Sequence, residues 1–226
     1  MNSTQMNSQL TQLIEALGSG DSSTRLQVAL TIGTHPDGPG LVEALVARCA
    51  IEPDFFVRDM LTWALTRFPA EDTVPRLLAE LRSPAAQARS QSLHTLSKIG
   101  DRDVWPAITR SLLRDADDEV ARSAWRAAVV LVPDEDKAGL AAELATQLGR
   151  GDRTLQLSLS RALVALGPVI EPALEAALTS TDPTVRAHAV ATERLLRDPD
   201  TGFDQAVDEA KRIVALGPER AQETAC

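Results

Sequence analysis

An arginine recurs along the chain at nearly constant intervals. The spacing is 30 to 34 residues, and the positions are Arg25, Arg58, Arg89, Arg122, Gln156 in place of an arginine, and Arg186. Four residues before each of them an aspartate stands in five cases out of six: Asp21, Asp54, Ala85, Asp118, Asp152 and Asp182. A period of roughly 20 to 50 residues indicates stacked structural repeats, so this feature constrains the fold more than any other.

Each repeat is predicted to contain two helices, of which the second begins at the aspartate. An aspartate at this position accepts a hydrogen bond from an otherwise unpaired N–H of the first helical turn. Eleven residues after the arginine position, a Pro or Gly ends the helix in five repeats. Between these limits, the residues three, seven and ten after the arginine share one apolar face. Two such sets are Leu61, Leu65 and Phe68, and Trp125, Val129 and Val132.

The first helix of each pair precedes the aspartate. Predicted segments are residues 9–17, 41–51, 73–81, 104–113, 138–148 and 169–178, and a helix over 203–216 closes the array. One repeat cannot bury its apolar face alone, so neighbours must stack. The sequence therefore predicts an all-α fold, a right-handed α-solenoid of about six helix pairs plus a closing C-terminal helix. Aromatic residues make up only 3% of the chain, which suits helices packed from small aliphatic side chains.

We expect one repeat array over residues 9–217, preceded by a flexible N-terminal segment 1–8 and followed by a polar tail 218–226. The N-terminal residues are polar and uncharged, which is unlike the basic and apolar stretches of a signal peptide. No apolar run approaches the roughly 18 residues that span a bilayer. The predicted location is the cytoplasm.

The segment that opens the second helix resembles the HEAT repeat. Its Asp-x-x-Val-Arg pattern stands in Asp54-Phe-Phe-Val-Arg58 and Asp182-Pro-Thr-Val-Arg186, and in Asp118-Glu-Val-Ala-Arg122 the valine is shifted by one residue. The resemblance covers about residues 9–216 and is closest to short bacterial HEAT-like repeats, with departures at Ala85 and Gln156. It implies a structural ladder, in which each arginine packs between repeats and pairs with a capping aspartate. The predicted ladder consists of Asp21, Arg25, Asp54, Arg58, Arg89, Asp118, Arg122, Asp182 and Arg186.

The same resemblance implies that the second helices line a concave groove. Residues one, two, five and nine after each arginine would then face that groove. The candidate binding residues are Asp59, Trp63, Arg67, His94, Lys98 and Arg161. Mixed aromatic and charged patches suit the binding of a peptide or small ligand. The alternative for Trp63 is that it turns into the core between repeats, where Trp125 is expected to lie.

Charge and side-chain chemistry narrow the possible functions. The formal net charge of −9 argues against a nucleic-acid partner, because such a surface needs many basic residues. Cys49 and Cys226 cannot form a metal cluster or a disulfide framework by themselves. His35, His94 and His188 are scattered and none is followed by Glu, so we predict no metal and no cofactor. No arrangement of a nucleophile with a base is evident.

The predicted function is a non-enzymatic binding or scaffold module, acting in regulation or assembly. Its groove would hold a protein segment or a small ligand. The alternative is a HEAT-like enzyme of the DNA glycosylase type or the chromophore lyase type, and a purely structural or oligomerising role also stays open. The sequence leaves the oligomeric state undetermined.

Overall fold

A computed structural model of the protein describes residues 3–35, 38–198, 207, 208 and 211. All regular secondary structure in these ranges is helical, which confirms the predicted all-α fold. The chain forms two compact units, Met1–Ile108 (unit 1) and Thr109–Cys226 (unit 2). Six helix pairs follow one another in the described part of the chain, as in an α-solenoid.

Apart from α1, the first helices of the pairs are shorter than the second helices, and four first helices are preceded by a 3₁₀ helix. The first helices are α1 Ser3–Leu17, α3 Val42–Cys49, α5 Ala70–Glu80, α7 Arg110–Leu113, α9 Lys137–Ala145 and α11 Glu171–Leu178. The 3₁₀ helices are Gly38–Leu41, Arg102–Ala107, Asp134–Asp136 and Gly167–Ile170.

The second helices have 12 to 15 residues and carry most of the core. They are α2 Ser22–Thr34, α4 Phe55–Thr66, α6 Ala86–Ile99, α8 Asp118–Leu131, α10 Arg153–Ala165 and α12 Pro183–Arg197. Within unit 1, α4 packs against both α2 and α6, and within unit 2, α10 packs against both α8 and α12. Second helices therefore form a continuous layer inside each unit.

Four of the second helices begin at the predicted aspartate. The carboxylate accepts a hydrogen bond from a backbone N–H two or three residues later: Asp21 from Thr24 at 2.8 Å, Asp54 from Phe56 at 2.9 Å, Asp152 from Leu155 at 2.9 Å and Asp182 from Thr184 at 2.7 Å. The helix α6 begins after Ala85, which has no side chain able to form this bond. Local capping chemistry therefore sets these helix starts.

The fourth repeat begins one residue earlier than predicted. Asp117, not Asp118, caps α8, and its Oδ1 accepts from the N–H groups of Glu119 at 3.0 Å and Val120 at 3.1 Å. The N–H of Asp117 is itself bound by Asp115 Oδ1 at 2.9 Å, which turns the chain into the helix. As a result, Ala121 occupies the recurring arginine position of this repeat.

The apolar stripe of α8 moves with this register. Its members are Ala124, Ala128 and Leu131, all of which are completely buried. Val129, predicted in the stripe, is half-buried. Trp125 lies beside the stripe and is also completely buried, as predicted. Its Nε1–H donates to the carbonyl of Leu113 at 2.8 Å, so the one polar group of the ring is satisfied in the core.

Several first helices differ from their predicted bounds. Helix α1 begins at Ser3 rather than residue 9, and α5 begins at Ala70, three residues ahead of the prediction. The predicted helix 104–113 is divided into the 3₁₀ helix Arg102–Ala107, which contains Pro106, and α7. The closing helix over 203–216 and the tail 218–226 lie outside the described residues, except for positions 207, 208 and 211.

Across the described ranges, no individual helix has the length and apolar character needed to cross a membrane. One bent pair, Arg153–Ala165 with Gly167–Leu178, meets the criterion jointly, with 119° between its two helices.

Candidate functional site

The recurring arginines bind the loop that precedes their own helix. In α2, Arg25 Nη1 donates to the carbonyl oxygens of Ser19 at 2.9 Å and Gly20 at 3.2 Å. The same contact recurs in three further repeats: Arg58 to Glu52 and Pro53, Arg89 to Ser83 and Pro84, and Arg186 to Ser180. The partners of Nη1 are therefore loop carbonyls, and not the capping aspartates that the sequence predicted. These bonds satisfy backbone acceptors that lie beyond the end of the first helix.

The fourth repeat has no arginine at this position, and an arginine from the next repeat replaces it. Arg150 Nη2 donates to the carbonyl of Asp115 at 2.6 Å and to Asp118 Oδ1 at 2.7 Å. Arg122, predicted to belong to the ladder, instead contacts Glu119 Oε2 at 2.5 Å. Asp118 and Arg122 therefore differ from the other predicted ladder residues, because the register of α8 moves both off the capping and arginine positions.

Glu52 is the most buried charged group in unit 1, and sequence reasoning missed it. Its carboxylate receives Arg25 Nε at 2.7 Å, Arg25 Nη2 at 2.6 Å, Arg48 Nε at 2.8 Å and the N–H of Asp54 at 2.9 Å. Burial alone would raise the pKa of Glu52, but these hydrogen bonds outweigh it and hold the pKa at about 2. Nothing in its spacing distinguishes Glu52 from the other acidic loop residues.

His188 organises a neutral network in unit 2. It is 1% exposed, and its Nδ1 accepts from the N–H of Gly149 at 3.0 Å. The other nitrogen, Nε2, must then carry the proton, and it lies 3.0 Å from both the carbonyl of Gln156 and Ser160 Oγ. Burial lowers the pKa of His188 to about 4, despite the hydrogen bond to Gln156. The imidazole is therefore neutral at physiological pH, and its hydrogen bonds connect α12 to α10 and to the loop that precedes α10.

Five of the predicted groove residues belong to α4 and α6 of unit 1, at helical positions that are expected to share one face. This face, here called the unit 1 face, consists of Leu30 on α2, Asp59, Trp63 and Arg67 on α4, and His94 and Lys98 on α6. Asp59, Arg67 and Lys98 are exposed, and Trp63 and His94 are half-buried. Leu30 belongs to the same row as Trp63 and His94 and is 37% exposed. The face thus carries an apolar and aromatic row beside two cations.

Trp63 is fixed between a neighbouring helix and a cation. A Cβ on Gly33 would stand 2.5 Å from Trp63 Cζ3, so the ring edge touches the backbone of α2. On the other side, Arg67 Cζ lies 6.0 Å from the ring centroid. Trp63 therefore packs against the next repeat and still exposes part of its ring, which combines both alternatives for this residue.

The corresponding face of unit 2 is rich in arginine. This unit 2 face is formed by Arg122, Arg126 and Val130 on α8, and by Leu157, Arg161 and Ala165 on α10. Arg161, which the sequence placed in the groove with Trp63, lies here and is exposed. Arg126 was missed because the predicted register put Ala127 in its place. The signal was present at Val120, which follows Asp117 by three residues, just as Val57 follows Asp54.

A third exposed surface lies at the start of α4. Ile51, Phe55 and Phe56 are 68%, 65% and 70% exposed. The two phenylalanine rings meet edge to face with centroids 5.6 Å apart, and Arg58 Cζ lies 5.9 Å from the Phe55 ring. Sequence reasoning did not single out this cluster, since its residues fall between the predicted helical faces.

Metal binding and thiol reactivity are the remaining kinds of chemistry that these side chains could offer. Within the described ranges, no three or more His, Cys, Asp or Glu side chains are grouped so as to hold a metal ion. Cys49 is buried, and burial raises the pKa of its thiol to about 12, so it stays protonated at neutral pH. Cys226 lies outside the described residues.

Comparison with known proteins agrees with the repeat pattern. Residues 52–129 match the family model of HEAT repeats. Within these residues the chain contains HEAT-like repeats, as the segment Asp54-Phe-Phe-Val-Arg58 predicted. Among solved structures, it is similar to the complex of CpcE and CpcF of phycocyanin lyase from Nostoc sp. PCC7120, with 19% identity, a TM-score of 0.47, and coverage of 92% of this chain and 85% of that one. A search of curated proteins finds no match.

Proposed function

We propose that this protein is a non-catalytic binding module that holds a segment of another protein on its unit 1 face. The observation that carries the proposal is the half-exposed ring of Trp63, held between Gly33 and Arg67. An aromatic side chain that is already fixed loses little conformational entropy when a partner covers it. Such rigid, partly buried aromatic residues dominate the binding energy of many protein interfaces.

The neighbours of Trp63 indicate the chemistry of the segment. Leu30 and the half-buried His94 extend the row on either side, so the segment would offer an apolar side chain to this row. Arg67 and Lys98 lie exposed along one edge of the face in a chain whose net charge is −9. The segment should therefore carry a carboxylate close to its apolar residue, and Asp59 would disfavour a second carboxylate at the opposite edge.

We place this activity in the cytoplasm and assign it to regulation or assembly, in which a rigid repeat surface positions a partner chain. Support for a role without catalysis comes from the polar groups described above. The buried groups Glu52 and His188 have their hydrogen-bonding capacity taken up by structural contacts, and the Cys49 thiol is buried and protonated. None of the three is placed to act on a substrate.

Selection of short peptides from a random displayed library on the full chain tests the proposal. We expect enriched peptides with one large apolar residue next to Asp or Glu. Trp63→Ala should weaken their binding by roughly 30-fold, which corresponds to a hot-spot residue, and Arg67→Gln by about threefold to tenfold. Val130→Ala, a partly exposed apolar residue of unit 2, is the matched control and should leave the affinity unchanged.

The proposal predicts where the selection can fail. If the selected peptides bind Trp63→Ala as tightly as the native chain, the unit 1 face is not the binding surface. If Phe56→Ser abolishes binding and Trp63→Ala does not, the exposed cluster at the start of α4 is the surface instead. Absence of any enriched motif would contradict peptide binding altogether.

A further inference from the structure

We propose that Arg122, Arg126 and Arg161 on the unit 2 face form a binding site for a phosphate monoester. The three arginines lie on two helices that pack against each other, α8 and α10. Arg122 and Arg126 are four residues apart on α8, which brings their side chains onto the same helical face, about 5–6 Å apart at Cβ. Arg161 occupies on α10 the row that Arg126 occupies on α8, and axes of packed helices are roughly 8–10 Å apart. The three guanidinium groups can therefore reach one ligand.

The register of the fourth repeat makes Arg122 available for this site. In other repeats the recurring arginine is used to bind loop carbonyls, but here Arg150 binds the carbonyl of Asp115 at 2.6 Å. Arg122 lies one residue beyond the arginine position and points its Nη2 to Glu119 at 2.5 Å. Its Nε is buried and has no hydrogen-bond partner among the residues that the structure describes. A buried donor without an acceptor is costly, and turning the partly exposed Arg122 side chain towards a bound oxyanion would give its Nε–H an acceptor.

The charges on the face do not balance. Glu119 neutralises Arg122, but Arg126 contacts only the neutral hydroxyl of Ser123, at 3.3 Å, and Arg161 makes no hydrogen bond or ion pair within the described ranges. Burial and the positive charge of Arg122 lower the pKa of Arg126, and the nearby carboxylate of Glu119 offsets this only in part. Two positive charges remain, which matches the charge of about −1.5 to −2 that a phosphate monoester carries near neutral pH.

The surroundings limit the site to α8 and α10. On α12 the corresponding residues are Ala187, Ala191 and Leu195, none of which carries a charge. Val207 packs against Ala191 together with Leu157 and Leu195, and so covers this side. Asp208, the carboxylate next to Val207, is paired with Arg153. Among the described residues, Glu119 is the carboxylate that forms an ion pair with the cluster, through Arg122.

An apolar side chain borders the cluster and indicates the rest of the ligand. Val130 is 46% exposed and stands one turn beyond Arg126 on the same helical face. A ligand with an organic group attached to its phosphate would cover Val130 while the phosphate binds the arginines. Arginine suits this role because its planar group forms paired hydrogen bonds with phosphate oxygens.

Titration of the full chain with phenyl phosphate, followed by calorimetry and by the NMR signals of arginine Nε–H groups, tests the site. We expect saturable binding that shifts the Nε–H signals of Arg122, Arg126 and Arg161. Arg126→Gln and Arg161→Gln should each weaken the affinity by at least about tenfold. Arg161→Lys, which keeps the charge but loses the planar group, should give an intermediate affinity. The matched control is Arg82→Gln, an exposed arginine of unit 1 with the same change of charge, which should have no effect.

Each contrary result overturns the proposal in a defined way. An equal loss for Arg82→Gln would show general attraction to positive charge. Benzoate binding as tightly as phenyl phosphate would assign the cluster to carboxylates, and a short DNA duplex competing at equal affinity per phosphate would assign it to nucleic acid. If phenyl phosphate does not bind at millimolar concentration, the three arginines do not form a phosphate site. Trp63→Ala should not alter phenyl phosphate binding, so this proposal and the peptide-binding function fail independently.

Discussion

Two loops between paired helices, residues 50–54 in unit 1 and 146–152 in unit 2, are held by different chemistry. In the first, the carboxylate of Glu52 is bound by two arginines, and Gln87 of the next repeat donates to the carbonyls of Cys49 at 2.9 Å and Glu52 at 2.8 Å. In the second, the neutral ring of His188 from the next repeat accepts from the N–H of Gly149. One repeat architecture therefore secures the same kind of loop with buried charge in one unit and with uncharged hydrogen bonds in the other.

The two loops should differ in how much stability is lost when one of their hydrogen-bonding partners is removed. A buried ion pair adds little over a well-packed apolar core, but removing one partner leaves an uncompensated charge. A neutral network costs less to break, because each member has further partners. The loop of unit 1 should therefore be the more sensitive to mutation, and the loop of unit 2 the more sensitive to mild acid.

The largest expected effect is that of Glu52→Ala. The substitution leaves Arg25, which is 5% exposed, without its carboxylate, and we expect the free energy of unfolding to fall by about 3–5 kcal/mol. Urea denaturation measures this. The control is Glu43→Ala, which removes an exposed pair with Arg76 at 3.5 Å and should cost less than about 1 kcal/mol. Equal losses for the two variants would contradict a special role for Glu52.

The second prediction separates the two loops by pH. His188 has a folded pKa of about 4 against an ordinary 6.5, so the unfolded chain binds its proton first as the pH falls between these values. Stability should therefore decrease by about 3 kcal/mol from pH 6.5 to pH 4. Glu52, with a folded pKa of about 2 against an ordinary 4.5, contributes stability that is complete above pH 4.5 and is lost as the pH falls towards 2.

Urea midpoints measured across this pH range distinguish the two groups. His188→Asn keeps a side-chain acceptor near the position of Nδ1 but cannot be protonated, so it should flatten the profile between pH 6.5 and pH 4. Glu52→Gln should leave that slope in place and flatten the profile only below pH 4.5. A native slope retained by His188→Asn would show that another group titrates there.

The third prediction compares two glutamines that bind loop carbonyls. Gln87→Ala removes two short hydrogen bonds, leaves buried acceptors unpaired, and should destabilise the chain by about 1–2 kcal/mol. Gln156→Ala removes longer contacts, at 3.2 Å to Gly151 and 3.5 Å to Gly149, and should cost less. Amide hydrogen exchange of the two loops reports the local effect. Faster exchange of residues 146–152 in Gln156→Ala than of residues 50–54 in Gln87→Ala would contradict the expected order.

The smallest effects are expected from the hydroxyl pairs between second helices. Thr62 and Thr95 in unit 1 have their Oγ1 atoms 3.3 Å apart, and replacing both by valine should change stability by less than about 0.5 kcal/mol, since both partners become apolar with little change of shape. Ser160→Ala should cost about 1 kcal/mol, because Ser160 Oγ contacts both Thr192 and His188. A double-mutant cycle for each pair measures the coupling, which should be larger in unit 2.

Much of the fold follows from local signals in the sequence. Asp54 and Asp182 cap their helices with contacts confined to the next three residues, so sequence spacing was sufficient to place them. The fourth repeat was misplaced because Asp117 and Asp118 are adjacent and both are good caps, and the arginine pattern favoured the wrong one. Val120 distinguishes them, since its burial fixes which face of α8 turns inward.

The candidate sites were less predictable. Asp59, Trp63 and Arg67 are expected on one helical face from their spacing alone, and in the structure Arg67 lies over the Trp63 ring. Glu52 and His188 depend on partners 27 and 39 residues away, as in Arg25–Glu52 and Gly149–His188, and helical periodicity carries no information about such contacts. Arg126 was lost with the register of its helix, which shows that an error of one residue moves a whole binding face.

The contact of Arg150 with the loop of the preceding repeat bears on how such a chain can be altered by deletion or duplication. The fourth repeat has no arginine of its own at this position, and Arg150 of the fifth repeat binds its loop instead. The two repeats should therefore be kept or removed together. A truncation between them would remove the donor while leaving the recipient loop behind, whereas a boundary drawn after the fifth repeat would keep both. Recombination that shuffles single repeats should therefore break this contact, just as it would break the Arg25–Glu52 pair between the first and second repeats.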